Sequence, residues 1–82
     1  MKLPRDLSGR ELVHALTKGY GYRVVNQEGS HIVLQVESPR HHRIAVPDHR
    51  TLRLGTLNAI LRTVAEARDS DKEIVARRLF GG

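Results

Sequence analysis

The sequence predicts an α+β fold, in which a three-stranded antiparallel sheet carries helices on one face and a short extra helix follows at the C-terminal end. Three observations predict it: a capping box near the N-terminus, three short β-branched runs joined by short loops, and an apolar stripe at helical spacing. We expect residues 1–82 to form a single domain with one modest core. The other face of the sheet is then left open as a binding surface.

The segment LSGRELVHAL predicts the first helix. Ser8 stands three residues before Glu11, so its hydroxyl can accept from the third helical amide while Glu11 reaches back. Gly19 and Gly21 supply a stop signal. The spacing predicts a helix over about residues 8–18.

The strands are predicted at YRVVN, HIVLQVE and RIAV, which are rich in β-branched residues. The connections QEGS and SPRHH are too short for the crossover that parallel strands require, so the three runs form an antiparallel meander. Side chains alternate across a strand, which assigns Ile32, Leu34 and Val36 to the core face. His31 then leads the outward row of the second strand, and Arg43 faces outward on the third.

Two further helices are predicted after the sheet. In GTLNAILRTVAEA, Thr56 is available as a cap for a helix whose apolar stripe consists of Leu57, Ile60, Leu61 and Val64. In SDKEIVARRLF, Ser70 and Glu73 show another capping-box pattern, which predicts a short helix ending near Phe80.

Composition restricts the classes of function. The net charge is +5, carried by eleven Arg against three Lys, and it favours a polyanionic or acidic partner. The chain has no cysteine, which excludes disulfides, thiolate zinc sites and thiol catalysis. No apolar stretch is long enough to span a bilayer, and the charged N-terminal residues do not suit a signal peptide, so we expect a cytoplasmic protein without membrane contact.

His31 has two interpretations from the residues alone. A histidine at the start of a strand is commonly a tolerated polar residue. It is also the side chain whose ordinary pKa suits proton transfer near neutral pH, and its outward row has no continuous apolar stripe that would make it a core histidine.

Metal and nucleophilic chemistry fit the sequence poorly. Adjacent histidines in an extended chain point to opposite faces, and no compact ligand spacing joins the five histidines, which are His14, His31, His41, His42 and His49. No elbow motif surrounds Ser30, and the short GYG segment is not a phosphate-binding loop. We therefore expect no metal and no cofactor.

Three segments resemble, in order and spacing, the HicA family of small bacterial toxins, the messenger-RNA interferases of HicA–HicB toxin–antitoxin modules. The segments are SGRELVHALTKGYGYRVVNQEGSHIVL, RIAVPDH and GTLNAILRTV, and they reach to about Val64. Their jointly specific features are a Gly-Ser-His turn, a Val-Pro-x-His after the third strand and a Gly-Thr-Leu-x-x-Ile-Leu helix start. The resemblance implies a fold like that of a double-stranded-RNA-binding domain.

The same resemblance implies a toxin that is a metal-independent endoribonuclease with messenger RNA as substrate. Its single catalytic histidine falls on His31, which would act as general base on the RNA 2′-hydroxyl. The residues expected to bind the substrate are Gly29, Ser30, Arg40, Arg43 and His49. The implied partner is a HicB-type antitoxin that covers the His31 surface. Whether the two form a higher-order complex is left open by the sequence.

The chain departs from the family pattern at two places. Glu28 stands where the family commonly has a basic residue, and the segment AEARDSDKEIVARRLF after Val64 is not the usual ending. Two alternatives therefore stay beside the nuclease: a non-catalytic RNA-binding module of the same fold, and an antitoxin-type protein-interaction domain without RNA activity.

Overall fold

The computed structural model describes residues 3–81 and has six elements in chain order. They are α1 (Gly9–Tyr20), β1 (Arg23–Glu28), β2 (His31–Val36), β3 (His42–Pro47), α2 (Leu54–Ala67) and α3 (Lys72–Phe80). The order and the single antiparallel sheet confirm the predicted α+β fold, including the extra C-terminal helix. None of the helices in this part of the chain is long and apolar enough to cross a membrane.

The sheet has the strand order β1-β2-β3, so β2 is central and the two other strands are edges. Its register pairs His31 with Glu28 on one side and with Pro47 on the other. A bulge interrupts β1 between Val24 and Asn26, which the sequence pattern did not predict. Bulges are common on edge strands, where they increase the local twist and interrupt pairing with other chains.

The helices pack on one face of the sheet around a common hydrophobic cluster. The members with no exposed surface are Leu12, Leu16, Leu34, Val46, Leu61, Val64 and Val75, and α1, β2, β3, α2 and α3 each contribute at least one of them. Val33 is also buried, although it lies on the opposite face. Its register partners there are Asn26 and Ala45, and it is not part of the main cluster.

The start of α1 follows the sequence prediction. The Ser8 hydroxyl accepts from the Glu11 amide at 3.0 Å, and the Glu11 carboxylate accepts from the Ser8 amide at 2.9 Å. At the other end, Gly21 has a φ of 76°, a left-handed conformation that glycine adopts without steric cost. Its amide donates to Leu16 and Thr17 carbonyls and so ends the helix.

The predicted cap of α2 was wrong. The helix begins at Leu54, two residues before Thr56, and Arg53 at its N-cap makes no side-chain capping bond. The reason lies in the preceding residue, since the buried Leu52 donates its amide to the Leu7 carbonyl at 2.7 Å. That contact fixes the entry of the chain before Thr56 is reached.

The cap of α3 lies one residue later than predicted. The amide of Ser70 donates to the Ala65 carbonyl at 2.9 Å and thereby belongs to the end of α2. Asp71 takes the capping role instead, because its carboxylate accepts from the Ile74 amide at 2.9 Å.

One polar pair is built into the edge of the core. The Tyr22 hydroxyl lies 2.7 Å from His42 Nδ1, and Tyr22 is only 1% exposed. Burial raises the pKa of Tyr22 and lowers the pKa of His42, so both groups favour their neutral forms. With a neutral imidazole, the hydroxyl donates to Nδ1 when the ring proton is on Nε2.

Candidate functional site

His31 is the first residue of β2 and follows a two-residue hairpin turn. Glu28 and His31 are register partners, with Gly29 and Ser30 between them. Gly29 has a φ of 59°, and glycine is preferred wherever a tight hairpin needs a positive φ at its first central residue. The turn therefore fixes the backbone of His31 and leaves its side chain exposed at one end of the open sheet face.

The chain after β3 is held against this turn by main-chain bonds. The Asp48 amide donates to the Ser30 carbonyl at 2.6 Å, next to the pair that joins His31 and Pro47. On its other side, the His49 carbonyl accepts from the Gly9 amide at 2.9 Å. The start of α1, the start of β2 and the end of β3 thus meet at the His31 end of the sheet.

Gly9 lies too close to this segment to carry a side chain. A Cβ at this position would overlap the Pro47 carbonyl oxygen and would lie 2.9 Å from the Pro47 carbonyl carbon. It would also lie 3.2 Å from the Asp48 Cα, and all three of these atoms are main-chain atoms that cannot rotate away. The backbone contact therefore requires glycine.

An exposed ion pair adds to the same junction. Arg10 donates from Nε to Asp48 Oδ1 at 3.1 Å and from Nη2 to Oδ2 at 3.3 Å. The forked geometry suits a carboxylate. Its hydrogen bond holds the pKa of Asp48 below its ordinary value and raises the pKa of Arg10. Asp48 is therefore an anion at neutral pH, with its negative charge directed to Arg10.

Glu28 brings a second carboxylate to this end of the sheet. Directly paired residues in an antiparallel sheet have Cβ atoms about 4.5–5.5 Å apart, and Glu28 stands in that relation to His31. Its Oε2 accepts from Asn26 Nδ2 at 2.9 Å. The acidic residue is thus a direct neighbour of His31 on the open face.

Arg43 shares the open face but lies further along it. Its register partner is Gln35, whose Oε1 accepts from Arg43 Nε at 3.1 Å and Nη2 at 2.8 Å. Arg43 stands four positions before Pro47, the register partner of His31, which is a distance of about 13 Å along the strand. Because its partner is a neutral amide, Arg43 keeps its positive charge uncompensated by that contact.

The predicted residues are brought together only in part. Gly29, Ser30, His31 and His49 meet at one end of the sheet, and Arg43 lies on the same face farther away. Arg40 belongs to the connection between β2 and β3 at the opposite end, where its Nη2 bonds Asp69 Oδ2 at 2.7 Å. Arg40 is therefore not near His31.

Three residues that stabilise this end were missed by sequence reasoning. Gly9, Arg10 and Asp48 act through contacts between segments almost forty residues apart, which no local pattern encodes. The one available signal was a glycine at the first position of a helix, where a stronger helix former would be expected.

The site is an open surface. A groove of about 650 Å³ lies elsewhere, between the N-terminal segment, α2 and α3, and His31 does not line it. Within residues 3–81, no group of three or more His, Cys, Asp or Glu side chains is arranged to hold a metal ion. The arrangement suits an extended ligand that lies across the sheet.

The fold and this site define a small α+β domain with an exposed histidine on an open, mixed-charge sheet face. The family model described as HicA toxin of bacterial toxin-antitoxin matches residues 9–65, which is over half of the chain. The chain belongs to the HicA toxin family. Searches of curated proteins and of solved structures found no significant match.

Family membership establishes a coarse function. The chain is a toxin of a toxin–antitoxin system, and the family implies a HicB-type antitoxin as its partner. HicA toxins are generally ribonucleases. The matched segment contains α1, the sheet and most of α2, and it leaves α3 outside.

Proposed function

We propose that this toxin is a metal-independent endoribonuclease that cleaves messenger RNA, with His31 as its general base. The observation that carries the proposal is the position of His31. It is exposed on the open sheet face, beside a segment fixed by main-chain bonds, and it lies inside the region matched by the family model.

RNA contains its own nucleophile, which reduces what the protein must supply. A neutral His31 imidazole removes the proton of the 2′-hydroxyl, whose oxygen attacks the adjacent phosphorus. The bond from phosphorus to the 5′-oxygen breaks, and that oxygen takes up a proton. General acid–base catalysis by one positioned side chain contributes about 10²–10⁴-fold in rate.

The remaining groups at this end bind and orient the strand. The Ser30 hydroxyl and the Gly29 amide are available to the phosphate being cut, because the turn that holds them also holds His31. Arg43, about 13 Å along β3, suits the phosphate of a neighbouring nucleotide. Arg40 has no part in this proposal, since it is bonded to Asp69 at the other end.

Two titratable side chains are candidates for protonating the leaving oxygen. Glu28 is the register partner of His31, and His49 lies on the segment that is fixed beside it. Cleavage by Glu28→Gln and His49→Ala variants over a range of pH would assign the role, because loss of the acid removes one limb of the pH profile.

The direct test compares the parent protein with His31→Ala on end-labelled messenger RNA in EDTA. We expect the variant to lose at least about 100-fold in cleavage rate. Because His31 is exposed, the melting temperature of the His31→Ala protein should stay within about 2–4 °C of that of the parent. His14→Ala, which removes an exposed histidine from α1, is the matched control and should cleave like the parent.

A 2′-deoxy substitution at the cut site tests the chemistry. It should abolish cleavage, and persistent cutting would refute attack by the 2′-hydroxyl. If neither parent nor His31→Ala cuts while both bind RNA with equal salt dependence, the chain is a binding module instead. If no salt-dependent RNA binding is found, the function is protein interaction alone.

The inhibited state follows from the same surface. We propose that the HicB-type antitoxin covers His31, so that the sheet face is closed to RNA in the complex. Adding the antitoxin should then suppress cleavage and should shift the NMR signal of the His31 ring while leaving that of His14 unchanged.

A further inference from the structure

A second concentration of positive charge lies on the helix side of the molecule, where α1 ends and α2 meets α3. The guanidinium carbon of Arg68 lies 4.3 Å from the centroid of the Tyr20 ring, and that of Arg78 lies 5.0 Å from it. Arg77 lines the same groove. The three arginines, together with Tyr20, form what we call the arginine cluster.

The charges of the arginine cluster are not compensated. In the part of the chain that the structure describes, none of Arg68, Arg77 and Arg78 has a carboxylate partner. Asp69, which is next to Arg68 in sequence, pairs with Arg40 at 2.7 Å, and Asp71 caps α3. Three positive charges therefore border one groove.

Two of the guanidinium groups have contacts within the chain before any ligand arrives. Arg78 Nε donates to the Gly19 carbonyl at 2.6 Å, and Arg68 Nη1 donates to the Ser38 carbonyl at 3.5 Å. Stacking on Tyr20 restrains both further. An arginine that is already ordered loses less side-chain entropy when it binds, which favours affinity for a ligand.

The helix dipole accounts for only part of this arrangement. Arg77 and Arg78 lie in the last turn of α3, where positive charge is favourable. Arg68 comes from the end of α2, yet it lies over the same aromatic ring as Arg78. The dipole of α3 therefore does not explain why arginines from two helices meet at Tyr20.

We propose that the arginine cluster is a second binding site for the phosphate backbone of single-stranded RNA. The groove has a volume of about 510 Å³ and also includes Ser70 and Ile74. The forked guanidinium groups match phosphate oxygens, and their exposed planes can stack on bases. Ile74, which is 52% exposed, adds an apolar surface for a base.

This site is separate from the His31 end. The Arg68 contact to Ser38 places the cluster beyond the C-terminal end of β2, whereas His31 begins that strand, so at least the length of the strand, about 20 Å, lies between them. The choice of RNA as ligand rests on the proposed nuclease function. Three of the four residues lie outside the segment that the family model matches.

Salt-dependent binding tests the proposal. Fluorescence anisotropy of a labelled single-stranded RNA is measured at several KCl concentrations with the His31→Ala protein, in which cleavage does not interfere. The slope of log K against log salt has a magnitude of about 0.7 per phosphate contact. Arg77→Gln should lower that magnitude by about 0.7, and Arg68→Gln with Arg77→Gln by about 1.4.

The controls separate the cluster from net charge and from folding. Arg62→Gln removes the same charge from an exposed position of α2 and should leave the slope unchanged. Arg77 makes no side-chain hydrogen bond within residues 3–81, so its substitution removes only its favourable interaction with the α3 dipole and should lower the melting temperature by no more than about 2–4 °C.

The proposal would be overturned if adding Arg77→Gln to the His31→Ala protein left the slope of log K against log salt unchanged. Loss of binding to poly-glutamate without any change in the RNA slope would also overturn it and would indicate an acidic protein as the occupant. If the parent does not cleave RNA but the Arg77→Gln shift is found, the nuclease proposal fails and the arginine cluster stands. If the parent cleaves and no shift is found, the cluster alone fails.

Discussion

Substituting Gly9 with alanine should disrupt the His31 end of the sheet without touching His31. The added Cβ would overlap the Pro47 carbonyl oxygen and crowd the Asp48 Cα at 3.2 Å. The backbone must then move, and the bond from the Gly9 amide to the His49 carbonyl must lengthen or break. The substitution is small, but it acts on the main-chain contacts that fix the site.

The magnitude follows from three terms. Overpacking a rigid contact costs about 1–3 kcal/mol, and loss of a hydrogen bond costs about 1 kcal/mol. Replacing glycine by alanine within a helix is itself stabilising by about 0.5–1 kcal/mol, which offsets part of this loss. The net loss in free energy of unfolding is about 2 kcal/mol, which for a domain of this size lowers the melting temperature by roughly 8–16 °C.

The assay is thermal unfolding followed by circular dichroism, with Gly55→Ala as matched control. Gly55 lies in the first turn of α2 with nothing within 4 Å of an added Cβ, so this change should raise the melting temperature by roughly 2–8 °C. Cleavage by Gly9→Ala, measured well below its melting temperature, should also fall. A Gly9→Ala protein as stable and active as Gly55→Ala would refute the reasoning.

Three further predictions concern the capping box, the core and the polar pair. Ser8→Ala should cost about 1 kcal/mol in urea unfolding, because it removes the hydroxyl that accepts from the Glu11 amide. Leu61→Ala, at a side chain with no exposed surface, should cost about 2–5 kcal/mol in the same assay, and a loss below 1 kcal/mol would contradict the packing described. Burial lowers the pKa of His42 below 6.5, so the unfolded chain takes up a proton on this residue at a higher pH than the folded chain does. The contribution of His42 to stability should therefore be fully present above about pH 6.5 and should decline as the pH falls below it. Urea midpoints from about pH 8 to pH 5 should show this decline, and His42→Asn should remove the part that depends on His42.

Local features of the fold were predictable because they arise from contacts between near neighbours in sequence. The Ser8 capping box joins residues three apart, and the alternation of Ile32, Leu34 and Val36 follows from strand geometry. The outward position of His31 follows from the same alternation. Its neighbours within the turn, Gly29 and Ser30, were predictable for the same reason.

Features that depend on distant contacts were not predictable. The entry into α2 is set by the bond from Leu52 to Leu7, so the attractive cap at Thr56 is bypassed. Arg40 lies in the β2–β3 connection, at the end of the sheet opposite the His31 turn, and the partner it finds there is Asp69, twenty-nine residues away. A charge pattern alone does not reveal which partner an arginine will find.

The fixation of the segment Pro47–His49 has a consequence for how this site can change. Two of the bonds that hold it join main-chain atoms, one from the Asp48 amide to the Ser30 carbonyl and one from the Gly9 amide to the His49 carbonyl. The exposed side chains of the adjoining loop, which are those of Arg50, Thr51 and Arg53, can therefore be exchanged without breaking these bonds. Under the proposed nuclease function, such an architecture would separate the position of the catalytic histidine from the choice of target, so that substitutions at the loop surface would change RNA preference while the position of His31 stays constant.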